Sequence, residues 1–223
     1  MTDYILVHGG NVATDTWNNL TQSKDHPAGG KLGGKVWNKI IIKLESHGHC
    51  VYAPTLQDEF SHNLSDHIQQ ICALITENEL TDVILVGHSY AGMIITGVAD
   101  KLHDKIARLV YIDAALPEPN QSLFDLLCSA GLNPIDVVDG KPMAYTEKLQ
   151  FDSNKIKSLP KCYILCAESD FQHVTMLAKH KIKLDSNGWE YIELLTSHIP
   201  MATMPKNVAE CLMQQGSTSR QDG

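Results

Sequence analysis

"DVILVGHSYAGMIITG", residues 82–97, decides how this chain is read. Its first half is apolar and β-branched; its second half sets small and apolar residues at helical spacing. Between them stand Gly87, His88, Ser89, Tyr90 and Ala91, where a strand must turn sharply into a helix. A serine there has its hydroxyl lifted clear of the sheet, beside the free N–H groups of a helix N-terminus. Gly87, Ala91 and Gly92 are small, as so crowded a turn requires. A helix N-cap is the plainer role for such a serine. The preceding strand, the glycines and a histidine late in the chain favour a nucleophile.

Outward from this turn the pattern repeats. Short β-rich runs occur at 4–7 (YILV), 50–56 (CVYAPTL), 107–114 (ARLVYIDA), 162–167 (CYILCA) and 189–195 (WEYIELL). Most are continuously apolar, which suits strands buried on both faces of a parallel sheet. Helical stripes lie between them, Leu64, Ile68, Ile71, Cys72 and Ile75 on one helix and Ile94, Ile95, Val98, Ala99 and Leu102 on another. Near the end Thr203 is positioned to cap a helix with Pro205 in its first turn. Strands alternating with helices predict an α/β fold, a mostly parallel sheet of about six strands with helices on both faces. Two stretches interrupt the rhythm. Residues 11–34 are polar and Gly-rich, and 115–160 form a long excursion, with a short helix suggested by Leu123, Leu126, Leu127 and Ala130, that reads as a small lid. A single domain over 1–215 is expected, followed by a disordered polar tail at 216–223.

Composition narrows the partners. With 26 acidic against 18 basic residues the formal net charge is −8, a poor match for nucleic acid or an anionic membrane. No apolar run reaches membrane-spanning length, and "MTDYILVHGG" lacks the basic flank and cleavage site of a signal peptide, so a cytoplasmic location is expected. The six cysteines form no CxxC pair; Cys50, Cys72, Cys162 and Cys166 fall in apolar patterns and read as buried thiols. "HGHC" (47–50) spans a helix end and a strand start and is not read as a metal site. "GGKLGGKV" (29–36) fits the spacing of a phosphate-binding loop, but Val36 replaces its Ser or Thr and no strand precedes it, so a flexible connection is expected.

In open α/β sheets ligands bind beyond the carboxyl ends of the strands. The residues just past those ends are His8, Gly9, Gly10 and Asn11; His88, Ser89 and Tyr90; Asp113; Glu168, Ser169 and Asp170; and Thr196, Ser197 and His198. A serine, carboxylates and a histidine therefore converge on one edge. A serine hydroxyl is a weak nucleophile that needs an adjacent base.

On "ILVHGG" (5–10), "GHSYAGMIITGVAD" (87–100), "LVYIDAALPEPNQSLFDLL" (109–127) and "SHIPMATMPKNVAECL" (197–212) the chain resembles the α/β-hydrolase superfamily. Within it, it is similar to bacterial esterase-like hydrolases, plant methylesterases and hydroxynitrile lyases. The resemblance implies Ser89 as nucleophile, His198 as general base and acid, and Asp170 as the acid that orients it. The oxyanion hole would be the backbone N–H groups of Gly10 and Tyr90. Glu168 and Asp113 remain alternatives for the acid. Asn11, Leu116, Leu123, Ile199 and Met201 are candidate pocket residues; His8 and His88 receive structural roles. The chain departs from the family pattern at Ala91, where GxSxG has glycine, in its short lid, and in the 11–34 insertion.

The expected activity is cleavage of a small carboxylic ester through an acyl-enzyme, without metal or cofactor. A lyase acting on cyanohydrins is the alternative on the same fold, but the plant lyases carry a threonine and a lysine where this chain has Gly9 and Ile199. A hydrolase-like binding protein with little turnover is the third reading, marked by slow acylation without product release. The sequence leaves the acyl group, the alcohol and the oligomeric state open.

Overall fold

The computed structural model describes residues 1–218. Strands β1 (Asp3–Val7), β2 (Cys50–Tyr52), β3 (Val83–His88), β4 (Ile106–Ile112), β5 (Lys161–Cys166) and β6 (Trp189–Leu194) form one sheet in the order β2-β1-β3-β4-β5-β6. Every neighbouring pair is parallel. The helices, in chain order, are α1 (Thr14–Thr21), α2 (Asn38–Glu45), α3 (Leu64–Glu77), α4 (Ala91–Leu102), α5 (Leu123–Ser129), α6 (Pro134–Val137), α7 (Met143–Thr146), α8 (Ser153–Lys157), α9 (Gln172–Leu184), α10 (Pro200–Thr203) and α11 (Pro205–Thr218).

Alternation along continuously apolar strands explains the two covered faces. Ile5, Val7, Leu85, Leu109, Tyr163 and Leu165 join one core with Ile68 and Ile71 of α3, Ile94 and Val98 of α4, and Val174 and Ala178 of α9. Their neighbours Tyr4, Leu6, Ile84, Val86, Val110 and Ile164 join a second core with Trp17 of α1, Ile40 and Leu44 of α2, and Val208 and Leu212 of α11. Local signals fix the helix starts. Asn63 and Asp66 form a reciprocal capping box at α3, as do Ser122 and Asp125 at α5.

The strand order reverses at β1. The chain leaves β1 for β2 on one side and then crosses to β3 on the other, so a crevice opens between the loops that follow β1 and β3. Register sets what meets there. Val7 pairs with Gly87, so His8-Gly9-Gly10 and His88-Ser89-Tyr90 leave the sheet side by side. His88 pairs with Ile112, which places Asp113 beside Ser89 on the other flank.

Several local expectations change. β2 stops at Tyr52 rather than at 56, because Pro54 cannot donate to a ladder. The 11–34 stretch contains α1, whose two buried positions, Thr14 and Trp17, are too few to show a helical stripe. The second half of the 29–36 connection is packed rather than flexible: Gly33–Trp37 is a 3₁₀ turn with Gly33, Gly34, Val36 and Trp37 buried, and a Cβ on Gly34 would run into the Ala53 carbonyl. Thr203 ends α10 instead of capping α11; the carbonyl of Met204 accepts the Val208 N–H, so Met204 precedes the first turn. The expected tail starts inside α11, which runs to Thr218, and residues 219–223 lie outside the described residues. Residues 115–160 hold α5, α6, α7 and α8.

Candidate active site

Ser89 has φ +55°, a left-handed conformation that residues other than Gly, Asn and Asp rarely take. Three backbone hydrogen bonds hold it there. Its N–H donates to the Ile112 carbonyl at 3.2 Å, and its carbonyl accepts from Gly92 at 3.1 Å and Ala115 at 3.0 Å. The elbow is therefore tied to the exit of β4. Close packing surrounds it. A Cβ on Gly9 would stand 2.6 Å from Ser89 Cβ, and a Cβ on Gly92 would run into the Ala115 carbonyl. Ala91, where the related pattern has glycine, is the first residue of α4 and is fully buried, so a methyl group fits there.

His198 lies on the loop between β6 and α10. Its Nε2 is 2.9 Å from Ser89 Oγ, so the hydroxyl can donate to it, while Nδ1 is 2.7 Å from Asp113 Oδ2 and donates. Two further contacts hold His198, one at its backbone and one at its ring. The Nε2–H of buried His88 donates to the His198 carbonyl at 2.7 Å, and the Phe171 ring packs 4.9 Å away, centroid to centroid. Burial, with His198 close by, pushes the His88 pKa well below the usual value, so this imidazole stays neutral and acts as a fixed donor. His8 is likewise structural: Nδ1 donates to the Gly9 carbonyl and Nε2 accepts the Leu56 N–H. Burial lowers its pKa to about 4.

Asp113 is fully buried and also left-handed, with φ +43°. A buried carboxylate needs donors, and this one has them. Oδ1 accepts the Cys166 N–H at 3.1 Å; Oδ2 accepts both the His198 ring and the Ser169 hydroxyl. Ser169 Oγ is also 3.4 Å from His198 Nδ1.

The carboxylate paired with the imidazole is thus Asp113 and not Asp170, a correction to the sequence reading. The reason lies in the sheet. β4 is the immediate neighbour of β3, and the residue after Ile112 leaves it next to Ser89. Asp170 is exposed at the cavity rim, and Glu168 is exposed as well. The inward residue of that strand exit is Ser169, which sequence reasoning passed over because a serine between two acids attracts no attention.

Cavities open on both sides of the Ser89–His198 pair. One, about 270 Å³, is lined by Gly10, Ser89, Tyr90 and His198 together with Leu123, Leu127, Val138, Tyr145 and Phe171. The other, about 380 Å³, is lined by Asn11, Val12, Ala13, Thr16 and Ile199 beside the same pair. Gly10 and Tyr90 thus stand at the serine, and Asn11, Leu123 and Ile199 do line its cavities. Two expected pocket residues do not. Leu116 faces a separate cavity with Phe151, Ile156 and Trp189, since the chain past Ala115 turns toward β5. Met201 is fully buried in the core on the α2–α11 side, because α10 packs inward there. Val138 and Tyr145, from the 115–160 excursion, were not anticipated as lining residues.

Comparison with known proteins follows the same lines. Residues 4–146 match the model of the alpha/beta hydrolase family. A carbendazim-hydrolyzing esterase from Nocardioides sp. (strain SG-4G) is 38% identical over 139 residues, covering 58% of this chain and 49% of that protein. Polyneuridine aldehyde esterase from Rauvolfia serpentina is 34% identical over 106 residues, covering 43% and 39%. The matches therefore span half or less of these relatives. The crystal structure of polyneuridine aldehyde esterase superposes with a TM-score of 0.71 at 20% identity, covering 97% of this chain and 99% of that one, a likeness of fold.

Proposed function

Because the chain belongs to the alpha/beta hydrolase family, we propose that it is a serine hydrolase cleaving small carboxylic esters through Ser89, His198 and Asp113. One observation carries this reading: the unbroken relay Ser89 Oγ–His198 Nε2 at 2.9 Å and His198 Nδ1–Asp113 Oδ2 at 2.7 Å. Ester hydrolysis needs a base within reach of the nucleophile's proton and a group that orients that base.

In the proposed course Ser89 Oγ attacks the ester carbonyl carbon while His198 Nε2 takes its proton. Asp113, unable to leave its donors, holds the ring and stabilises the imidazolium that forms. The carbonyl oxygen gains negative charge and is met by the N–H groups of Gly10 and Tyr90, the second at the N-terminus of α4. His198 then gives its proton to the leaving alcohol, the acyl group stays on Ser89, and a water activated by the same imidazole releases the acid. Cavities on both flanks of the serine leave room for an acyl group and an alcohol. The lyase alternative is disfavoured sterically. Any side chain at position 9 would collide with Ser89 Cβ and with the His88 carbonyl, so the loop has no place for a threonine there.

The test is intact-mass labelling with a fluorophosphonate and peptide mapping of the adduct. A single adduct on Ser89, absent from Ser89→Ala and lost in His198→Ala, supports the reading. A folded wild-type protein that takes up no label refutes it.

A further inference from the structure

The 270 Å³ cavity beside Ser89 has a hydrocarbon wall made by Leu123, Leu127, Val138 and Phe171. One hydroxyl interrupts it. Tyr145, on α7, is 7% exposed, and its ring packs 4.6 Å from that of Tyr90, centroid to centroid. Its oxygen leans over Gly10, 3.0 Å from where a Cβ on that residue would stand. Tyr90 is itself satisfied, its hydroxyl lying 3.2 Å from His67 Nδ1. Among the described residues nothing accepts the proton of the Tyr145 hydroxyl, which opens into the cavity. A substrate that displaces water from this hydroxyl forfeits a hydrogen bond unless it brings an acceptor of its own.

Resting on the hydrolase reading above, we propose that Tyr145 is a specificity-determining residue whose hydroxyl donates to an acceptor oxygen on the substrate's acyl group, close to the reacting carbonyl. The substrate class is then an uncharged ester of a short acid bearing an ether, keto or hydroxyl oxygen a bond or two from the ester carbonyl. Three further points agree. The phenol is flanked by Gly10, the oxyanion-loop residue, so it faces the part of a substrate nearest the carbonyl. Burial, with Glu59 nearby, raises its pKa far above neutrality, so it remains a donor. Glu168 and Asp170 are exposed at the same strand exit, and Asp170 lines the cavity, which disfavours an anionic acyl group. A pocket with a few placed polar groups among apolar walls discriminates by those groups.

The test uses two p-nitrophenyl esters of nearly the same shape, butyrate and methoxyacetate, in which one methylene is exchanged for an ether oxygen. Rates are divided by those of alkaline hydrolysis to remove intrinsic reactivity, and compared between wild type and Tyr145→Phe. The expected result is a wild-type kcat/KM preference for methoxyacetate of about fivefold to tenfold, abolished in Tyr145→Phe, with fluorophosphonate labelling of Ser89 retained. Equal losses on both esters would mean that Tyr145 serves the oxyanion or the packing, and would overturn the proposal. So would a wild type with no preference for the ether. A wild type that neither labels at Ser89 nor hydrolyses either ester defeats the hydrolase reading, and this inference with it.

Discussion

Asp113 Oδ2 stands 2.7 Å from His198 Nδ1, although 85 residues separate them in the chain. The exits of β4 and β6, on either side of β5, bring them together, and the carboxylate is buried with Cys166 N–H and Ser169 Oγ as its other donors. Asp113→Asn should therefore lower kcat on an activated ester by about 10³–10⁴, since an amide no longer enforces the Nδ1–H tautomer. Asp170→Asn should cost at least a hundredfold less. Kinetics of the two purified variants decide it; equal losses would return Asp170 to the relay.

The strained elbow makes a stability prediction. Ser89 is held at φ +55°, which costs a non-glycine residue about 1 kcal/mol or more. Ser89→Gly should raise the thermal midpoint while abolishing ester turnover, because the strain serves the hydroxyl's placement and not the fold. Differential scanning calorimetry gives the answer, and a midpoint lower than wild type would count against a strained elbow.

Gly92 tests the packing behind the elbow. A methyl group there meets the Ala115 carbonyl, which is backbone and cannot swing away. Ala115 in turn donates to Ser89. Gly92→Ala should destabilise the protein by about 1–3 kcal/mol and slow fluorophosphonate labelling as Ser89 is displaced. Chemical denaturation together with labelling rate measures both effects; a variant unchanged in both would show that the turn yields easily.

Acid should weaken the fold through its buried imidazoles. His8 has a pKa of about 4 in the native protein against 6.5 when unfolded. Between those values the unfolded chain binds a proton that the native state refuses, so stability falls as pH drops from 6.5 to 4 and this group contributes no further loss below that. The loss from His8 alone amounts to about 3 kcal/mol over that window. Burial lowers the pKa of His67 and His88 too, so they act in the same direction. Urea midpoints recorded at pH 7, 5.5 and 4.5 should fall in that order, and a flat series would falsify the assignment.

Much was legible before folding was considered. Continuous apolar runs marked buried parallel strands, and all six expected strands form within a few residues of the expected bounds. The turn at Gly87–Ala91 marked the serine, because few sequences place small residues around a serine between a β-rich run and a helical stripe. These are local properties, written in spacing and residue size. α1 was hidden because a helix anchored by only Thr14 and Trp17 leaves no periodic stripe.

The choice of acid was not local. Asp113, Glu168 and Asp170 all follow strands, and nothing in their neighbours ranks them. Strand order and register decide, because β4 lies next to β3 and pairs Ile112 with His88. The same holds for the pocket. Leu116 and Met201 are close in sequence to site residues yet face elsewhere, whereas Tyr145 comes from α7 to stand over Gly10. Hydrophobic pattern and turn chemistry act over a few residues and so can be read directly. Which side chains share a cavity depends on sheet register and loop path, which arise only when distant segments pack.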